Sequence, residues 1–329
     1  MNKMTVAGLA VLCLAPLAFP IFFASNDEFP SWAYPVDPPA GPGPGPRPGP
    51  RPAQSAGDTG AALHVPDSDA SFTRAEIESG ETVADWHPGD HPEMPAIVKS
   101  GRDGVRACAY CHMPNGAGRP DNASLAGLTE NYIKEQIGNF KKGVRKGAEP
   151  DRAQHALMEK IAAALTDDEV AEAAKYFSGL NLASFVKVEE ADTAPKTIVA
   201  EGLLAKAPDG GTEPLGRRIV EVPEDLERVK NRDPRTPYIA YVPKGSLDKG
   251  KAFVTGGATP CISCHGPDLH GIGDIPHIGG RSPTYIVRQL YDIKTGKRGG
   301  NIAPMQGVVS ALELEDMIAI AAYVASQEP

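Results

Sequence analysis

No part of this chain gathers lysine and arginine into a block, and its 329 residues carry 33 Lys/Arg against 42 Asp/Glu, a formal charge of -9. A surface that tracks a phosphate backbone is therefore missing, which excludes nucleic acid as a partner. Long apolar runs are scarce too: only one, at the N-terminus, reaches the roughly 20 residues needed to cross a bilayer. Disorder is also confined. Glycine (35) and proline (32) are abundant, but ten of the prolines lie between Pro30 and Pro52. The remainder, in a chain 41% hydrophobic, is long enough for two ordinary domains with a sizeable core. The acidity is local as well: residues 54–89 sum to -6, while 90–185, 186–245 and 246–329 each sum to -1. A general acidic-surface reading of the partners is thereby removed.

Cysteines number only five, and four of them form two matching signatures, Cys108-Ala-Tyr-Cys111-His112 and Cys261-Ile-Ser-Cys264-His265. The spacing lets two thiols on one short turn add across the two vinyl groups of a haem while the next residue brings an imidazole to the iron. A dithiol redox pair and a zinc site built from two Cys-x-x-Cys knuckles are the competing readings. Neither accounts for a histidine after both pairs, and a single zinc would join knuckles about 150 residues apart. Cys13 has no lipobox before it and reads as an ordinary apolar residue.

At the N-terminus, Lys3 precedes an uncharged run from Met4 to Asn26, an export signal. Cleavage after Ala24 would place Phe22 where a small residue is wanted, so an uncleaved anchor is the alternative. The Pro/Gly-rich stretch from Pro35 to Pro52 then reads as a stalk able to reach roughly 50 Å at ~3.1 Å per residue. An anchor followed by a spacer favours tethering.

Adding 153 to each position from Cys108 through Gly147 aligns two halves of the chain without a gap, with fourteen identities in forty positions. Tyr132, Gln136, Gly143 and Arg145 meet Tyr285, Gln289, Gly296 and Arg298. Beyond that block an offset of 147 takes over, because the first half carries six extra residues near Ala148 to Ala153. Met158 then meets Met305, and each precedes a helix start, Thr166-Asp167-Asp168-Glu169 or Glu313-Leu314-Glu315-Asp316. Thioether sulfur suits a low-spin haem iron, so Met158 and Met305 are the expected distal ligands. His155 could compete in the first half, but its counterpart is Ile302. Arg145 and Arg298 are either donors to haem propionates or a partner, or simply the basic last turn of a helix ended by Gly143 and Gly296.

These residues resemble the class I c-type cytochromes, specifically periplasmic dihaem proteins made by fusing two such domains. The resemblance covers residues 90–185 and 246–329 and implies an all-α fold with two covalently attached c-type haems. It implies proximal His112 and His265, distal Met158 and Met305, and attachment through Cys108, Cys111, Cys261 and Cys264. Haem attachment outside the cytoplasm agrees with the export signal. The second copy is the more typical, with Gly266 after its histidine where the first has Met113.

The expected organisation is a signal peptide or uncleaved membrane anchor (1–26), a linker (27–69), a first domain with an N-terminal extension (70–185), a connector (186–245) and a second domain (246–329). In the connector, Arg218 to Pro223 and Tyr238 to Pro243 alternate like paired strands. The expected function is single-electron transfer between respiratory redox proteins on the periplasmic side, anchored to the inner membrane or soluble after cleavage. A peroxidase-like dihaem enzyme and a cytochrome subunit of a membrane dehydrogenase or oxidase complex are the alternatives.

Overall fold

The computed structural model describes residues 29–37, 60–257 and 260–329. The export or anchor segment and most of the Pro/Gly run lie outside the described residues. Among the described residues no helix is long and apolar enough to cross a membrane.

The first half contains α1 (Arg74–Ser79), α2 (Ala96–Lys99), α3 (Cys108–His112), α4 (Glu130–Lys141), α5 (Ala153–Ala164) and α6 (Asp167–Ser178). Local chemistry starts these helices where the sequence places them. The Thr166 hydroxyl accepts from the Glu169 amide while the Glu169 carboxylate accepts from the Thr166 amide, and three acidic residues fill the first turn of α6. Helix α4 begins with the Thr129 hydroxyl accepting from the Tyr132 amide and stops before Gly143, whose φ of +65° costs glycine little. Ile133, Ala174 and Phe177, on α4 and α6, close a core with Val98 of α2 and Ala109 of α3.

The middle of the chain corrects the all-α expectation. It contains β1 (Val186–Ala191), β2 (Thr193–Pro195), β3 (Thr197–Ala200), β4 (Leu203–Lys206), β5 (Thr212–Pro214), β6 (Val220–Pro223), α7 (Leu226–Lys230) and β7 (Tyr238–Pro243). Strand β7 pairs in parallel with β1 and antiparallel with β6, while β2–β5 and β3–β4 form two small antiparallel pairs. With seven strands in three sheets against twelve helices, 39% helix and 15% strand, the described fold is mixed α and β. The physical reason lies in burial. On β7, Tyr238, Ala240 and Val242 face inward in period-2 alternation, and β6 is buried along its whole length. Ile219, Tyr238, Ala240 and Val242 share one core with Val287, Met317 and Val324 of the second half. The sheet is thus part of the body rather than a spacer laid over it.

The second half follows with α8 (Ser246–Thr255), α9 (Ile262–His265), α10 (Pro283–Lys294), α11 (Ala303–Val309) and α12 (Leu314–Ala325). Helices α8 and α12 cross so closely that a Cβ on Gly250 would lie 2.0 Å from the Ala319 carbonyl oxygen. Residues 29–37 pack here rather than hanging free. Tyr34 donates from its hydroxyl to Asp292 Oδ1 at 2.7 Å, and Arg288 Nη1 donates to the Ala33 carbonyl at 2.8 Å. The extension before α2 is equally docked: Trp86 is buried edge-on against Phe72 and donates from its indole N–H to the Asn231 carbonyl at 2.7 Å. The described stretches on either side of the Pro/Gly run thus both pack against the body.

Candidate functional site

Each Cys-x-x-Cys-His signature folds as a single helical turn, α3 or the Cys261–His265 turn containing α9, and each is held by the loop that follows it. His112 Nδ1 donates to the Ala123 carbonyl and His265 Nδ1 to the Pro276 carbonyl, both at 2.8 Å. These two acceptors are themselves 153 residues apart, so the repeat extends to the group that orients each ring. Burial holds both imidazoles below their ordinary pKa, and the carbonyl bond only partly opposes it. The rings are therefore neutral at pH 7, with the proton on Nδ1 and the Nε2 lone pair free to ligate. Phe177 of α6 lies edge-on to His112 with centroids 6.3 Å apart. Met113 keeps the left-handed φ of its counterpart Gly266, +63° against +85°, so a non-glycine residue carries the turn in the first copy.

Burial disfavours the thiolate at three of the four signature cysteines. Burial pushes Cys108 up to about 12 and raises Cys111 and Cys261 as well. A catalytic dithiol needs the opposite shift. Nor do the two signatures converge: among the described residues, no three of His, Cys, Asp and Glu gather as a cluster able to hold a metal ion.

Met158 lies in the middle of α5 and Met305 near the start of α11. The sequence places each methionine before a helix, and α6 and α12 do follow; that the methionines themselves sit on helices, α5 and α11, was not legible. One continuous cavity of about 1790 Å³ is lined by all four signature cysteines, both histidines and both methionines. Its volume exceeds the ~300–1,000 Å³ of a site for one small ligand. His155 also borders this space, but its ring leans on Phe140 and its Nε2 lies 3.4 Å from Glu159.

Arg145 and Arg298 do more than close two helices. Arg145 donates to Gln136 of its own half at 2.7 Å and to Tyr285 of the other at 3.2 Å; Arg298 donates to Gln289 at 2.8 Å and to Tyr132 at 2.7 Å. The backbone repeats this exchange, since Lys146 N–H donates to the Lys297 carbonyl and Gly299 N–H to the Val144 carbonyl. A pseudo-twofold axis therefore passes between the two arginines and through the interface of the modules. Arg281 adds a lopsided clamp, donating to the carbonyls of Ser124 at 2.7 Å and Ala126 at 2.9 Å. Its counterpart in the repeat is Leu128, so no repeat signal marked it.

The cavity is rich in cationic groups. Arg119, Arg145, Arg152, Arg281, Arg288 and Arg298 all line it. The Nε atoms of Arg152 and Arg298 are buried there without an acceptor, and the Nη atoms of Arg145 and Arg298 donate to amide and phenol oxygens rather than to carboxylates. Buried donors of this kind call for acceptors. Haem propionates are carboxylates, and two haems would also fill the apolar volume between the signature turns and the methionine helices. The residues present fit the group.

The family model for cytochrome c matches residues 98–181 and again 247–328, together just over half of the chain. The chain belongs to the cytochrome c family. It carries two covalently bound c-type haems and is a dihaem electron-transfer cytochrome. It is 25% identical over 232 residues to cytochrome c4 of Pseudomonas aeruginosa, an alignment covering 68% of this chain and 86% of that protein. It is 26% identical over 226 residues to a thiosulfate dehydrogenase electron acceptor of Thiomonas intermedia, covering 67% of this chain and 78% of the other. Among solved structures, reduced recombinant cytochrome c4 from Pseudomonas stutzeri superposes with a TM-score of 0.44 at 22% identity, covering 67% of this chain and 93% of that one. The connector and everything before residue 98 fall outside the family model.

Proposed function

We propose that this cytochrome is a carrier whose two haems are attached through Cys108 and Cys111 and through Cys261 and Cys264, with His112 and Met158 as one axial pair and His265 and Met305 as the other. The observation that carries this reading is the single cavity lined by both complete sets of residues, with each histidine fixed through Nδ1 to a carbonyl. Each haem supplies a one-electron couple. The chain's own contribution is positional. The carbonyls of Ala123 and Pro276 fix the imidazole planes and tautomers, which raises ligand basicity. The two signature turns would hold the haems through their cysteines and histidines, and α5 and α11 would supply Met158 and Met305 as the second ligands, which would leave neither iron open to a substrate. Arg145 and Arg298 place positive charge where propionates would lie and lock the two modules in one geometry.

The partners under this reading are redox proteins on the periplasmic side, a donor and an acceptor. The relative named as an electron acceptor of thiosulfate dehydrogenase supports a dehydrogenase as the donor class. A membrane anchor at 1–26 remains part of the proposal and rests on the sequence alone.

Substitution of the distal residues tests the assignment. In the haem-loaded protein, Met305→Ala is expected to remove the methionine-to-iron absorption band of one centre, lower its potential and let it bind cyanide; Met158→Ala does the same at the other. Retention of both bands in either variant would contradict the ligand set.

A further inference from the structure

The two signature turns are alike in themselves but not in what covers them. In the first module, Ala109 and Tyr110 are buried. The Arg232 guanidinium lies 3.5 Å from the centre of the Tyr110 ring and donates to the Tyr110 carbonyl at 2.9 Å. Asn115 donates to the Pro234 carbonyl at 3.3 Å, and Arg119 to that of Glu201 at 2.8 Å. Arg232, Pro234 and Glu201 all belong to the connector. From the N-terminal extension, the Glu78 carbonyl receives the Tyr110 hydroxyl at 3.4 Å. The rim of the cavity on this side is accordingly made of Arg74, Glu78, Glu227 and Arg232.

In the second module the same positions are uncovered among the described residues. Ser263 and Cys264, the counterparts of Tyr110 and Cys111, are exposed. Where the first module has Arg119 and Asn122, the second has Ile272 and Ile275, paired by a backbone bridge and 54% and 38% exposed. Ile275 and Cys264 both line the cavity, and Ile272 Cγ1 lies 3.6 Å from where a Cβ on Gly266, two residues after Cys264, would sit. The loop 266–278 that carries them holds two exposed carboxylates, Asp268 and Asp274, and neither lysine nor arginine.

We propose that partner redox proteins dock on the second module alone, at the face formed by Cys264, Ile272 and Ile275, and that the connector and N-terminal extension close the corresponding face of the first module. This deepens the carrier reading and rests on it. Electron exchange between proteins falls off steeply with distance, so a partner must reach the edge of the cofactor, and two of the exposed isoleucines among the described residues lie in the loop that follows the second signature. Two isoleucines inside an acidic rim suit a brief encounter, small in area and steered by charge. The occupant that fits is a redox protein whose own cofactor edge is ringed by basic residues.

A basic single-haem cytochrome c serves as the probe, added to the haem-loaded full chain. Hydrogen exchange is expected to slow in the 266–278 loop on binding and to stay unchanged across 226–235. The bimolecular rate of electron exchange is expected to fall with added salt. It should fall about tenfold, equivalent to about 1.4 kcal/mol, when Ile272→Lys and Ile275→Lys are combined. Glu78→Lys, on the cover of the first module, is expected to leave that rate alone, and the absorption spectrum serves as a check that every variant is folded and loaded. Protection at 226–235, slowing by Glu78→Lys, or a rate indifferent to the isoleucine pair would overturn the proposal. So would sedimentation showing a dimer that the isoleucine variant dissociates, because the face would then belong to a second copy. Failure of the carrier reading would show earlier and differently, as an inability of the wild-type protein to be reduced and reoxidised reversibly by small reagents before any partner is added.

Discussion

At the scale of single residues, the chemistry of this protein is concentrated in groups whose charge is suppressed by burial. His277 is the clearest case outside the signatures. Its ring lies 4.7 Å from that of His270, its Nδ1 faces Gly127 of the other module, and its Nε2 is buried without a partner. Burial, with the positive charge of Arg281 adding to it, holds its pKa down at about 4, against an ordinary 6.5. The unfolded chain therefore binds a proton between those values that the folded chain refuses. Stability from this residue is complete above pH 6.5 and is lost as the pH falls toward 4. His277→Gln is expected to flatten that acid limb, read as the melting temperature between pH 4 and 7; an unchanged limb would place the loss elsewhere. The residues of the site were legible to different depths. Cys108, Cys111, His112 and their counterparts follow from spacing alone, because covalent attachment needs adjacent residues. The methionines needed the repeat, since one Met near a helix start is ordinary packing. Arg281, Arg288 and Glu221 were not legible, because each acts through partners distant in sequence: Glu221, for instance, accepts from Ser282 and Thr284 at the start of α10.

At the scale of elements, the helices were readable and the sheets mostly were not. Caps and acidic first turns mark α6 and α12, and alternating burial marks β7. Strands of three or four residues, such as β2, β3 and β5, are too short for a period to show, and the parallel pairing of β1 with β7 joins segments about fifty residues apart. The least forgiving contact between elements is the crossing of α8 over α12. Gly250→Ala would drive a methyl group into the Ala319 backbone. It is expected to cost about 1–3 kcal/mol, the range for overpacking a tight interface, measured by denaturant unfolding. A neutral or stabilising effect, as helix propensity alone would give, would show that the two helices separate freely. In the first module the corresponding contact of α2 with α6 is slighter, since α2 spans only four residues.

At the scale of the whole molecule, two copies of one module meet across a pseudo-twofold axis, and additions outside the family model break the symmetry. The exchange between Arg145 and Arg298 makes the modules one unit, and Arg281 fastens them further. Arg281→Leu leaves the Ser124 and Ala126 carbonyls buried without a donor and is expected to cost about 3 kcal/mol. The loss should appear in denaturation as two separated transitions, one for each module; a single unshifted transition would deny the clamp its role. The duplication itself was legible, yet the facing of its copies was not, because a repeat gives the likeness of two halves and says nothing of how they meet. The central claim is that both centres are six-coordinate His/Met haems, and a spectroelectrochemical titration of the haem-loaded protein tests it most directly. Two one-electron steps are expected, with the methionine-to-iron band present for both oxidised centres. A centre that lacks the band, titrates at far lower potential or takes up cyanide readily would contradict the claim.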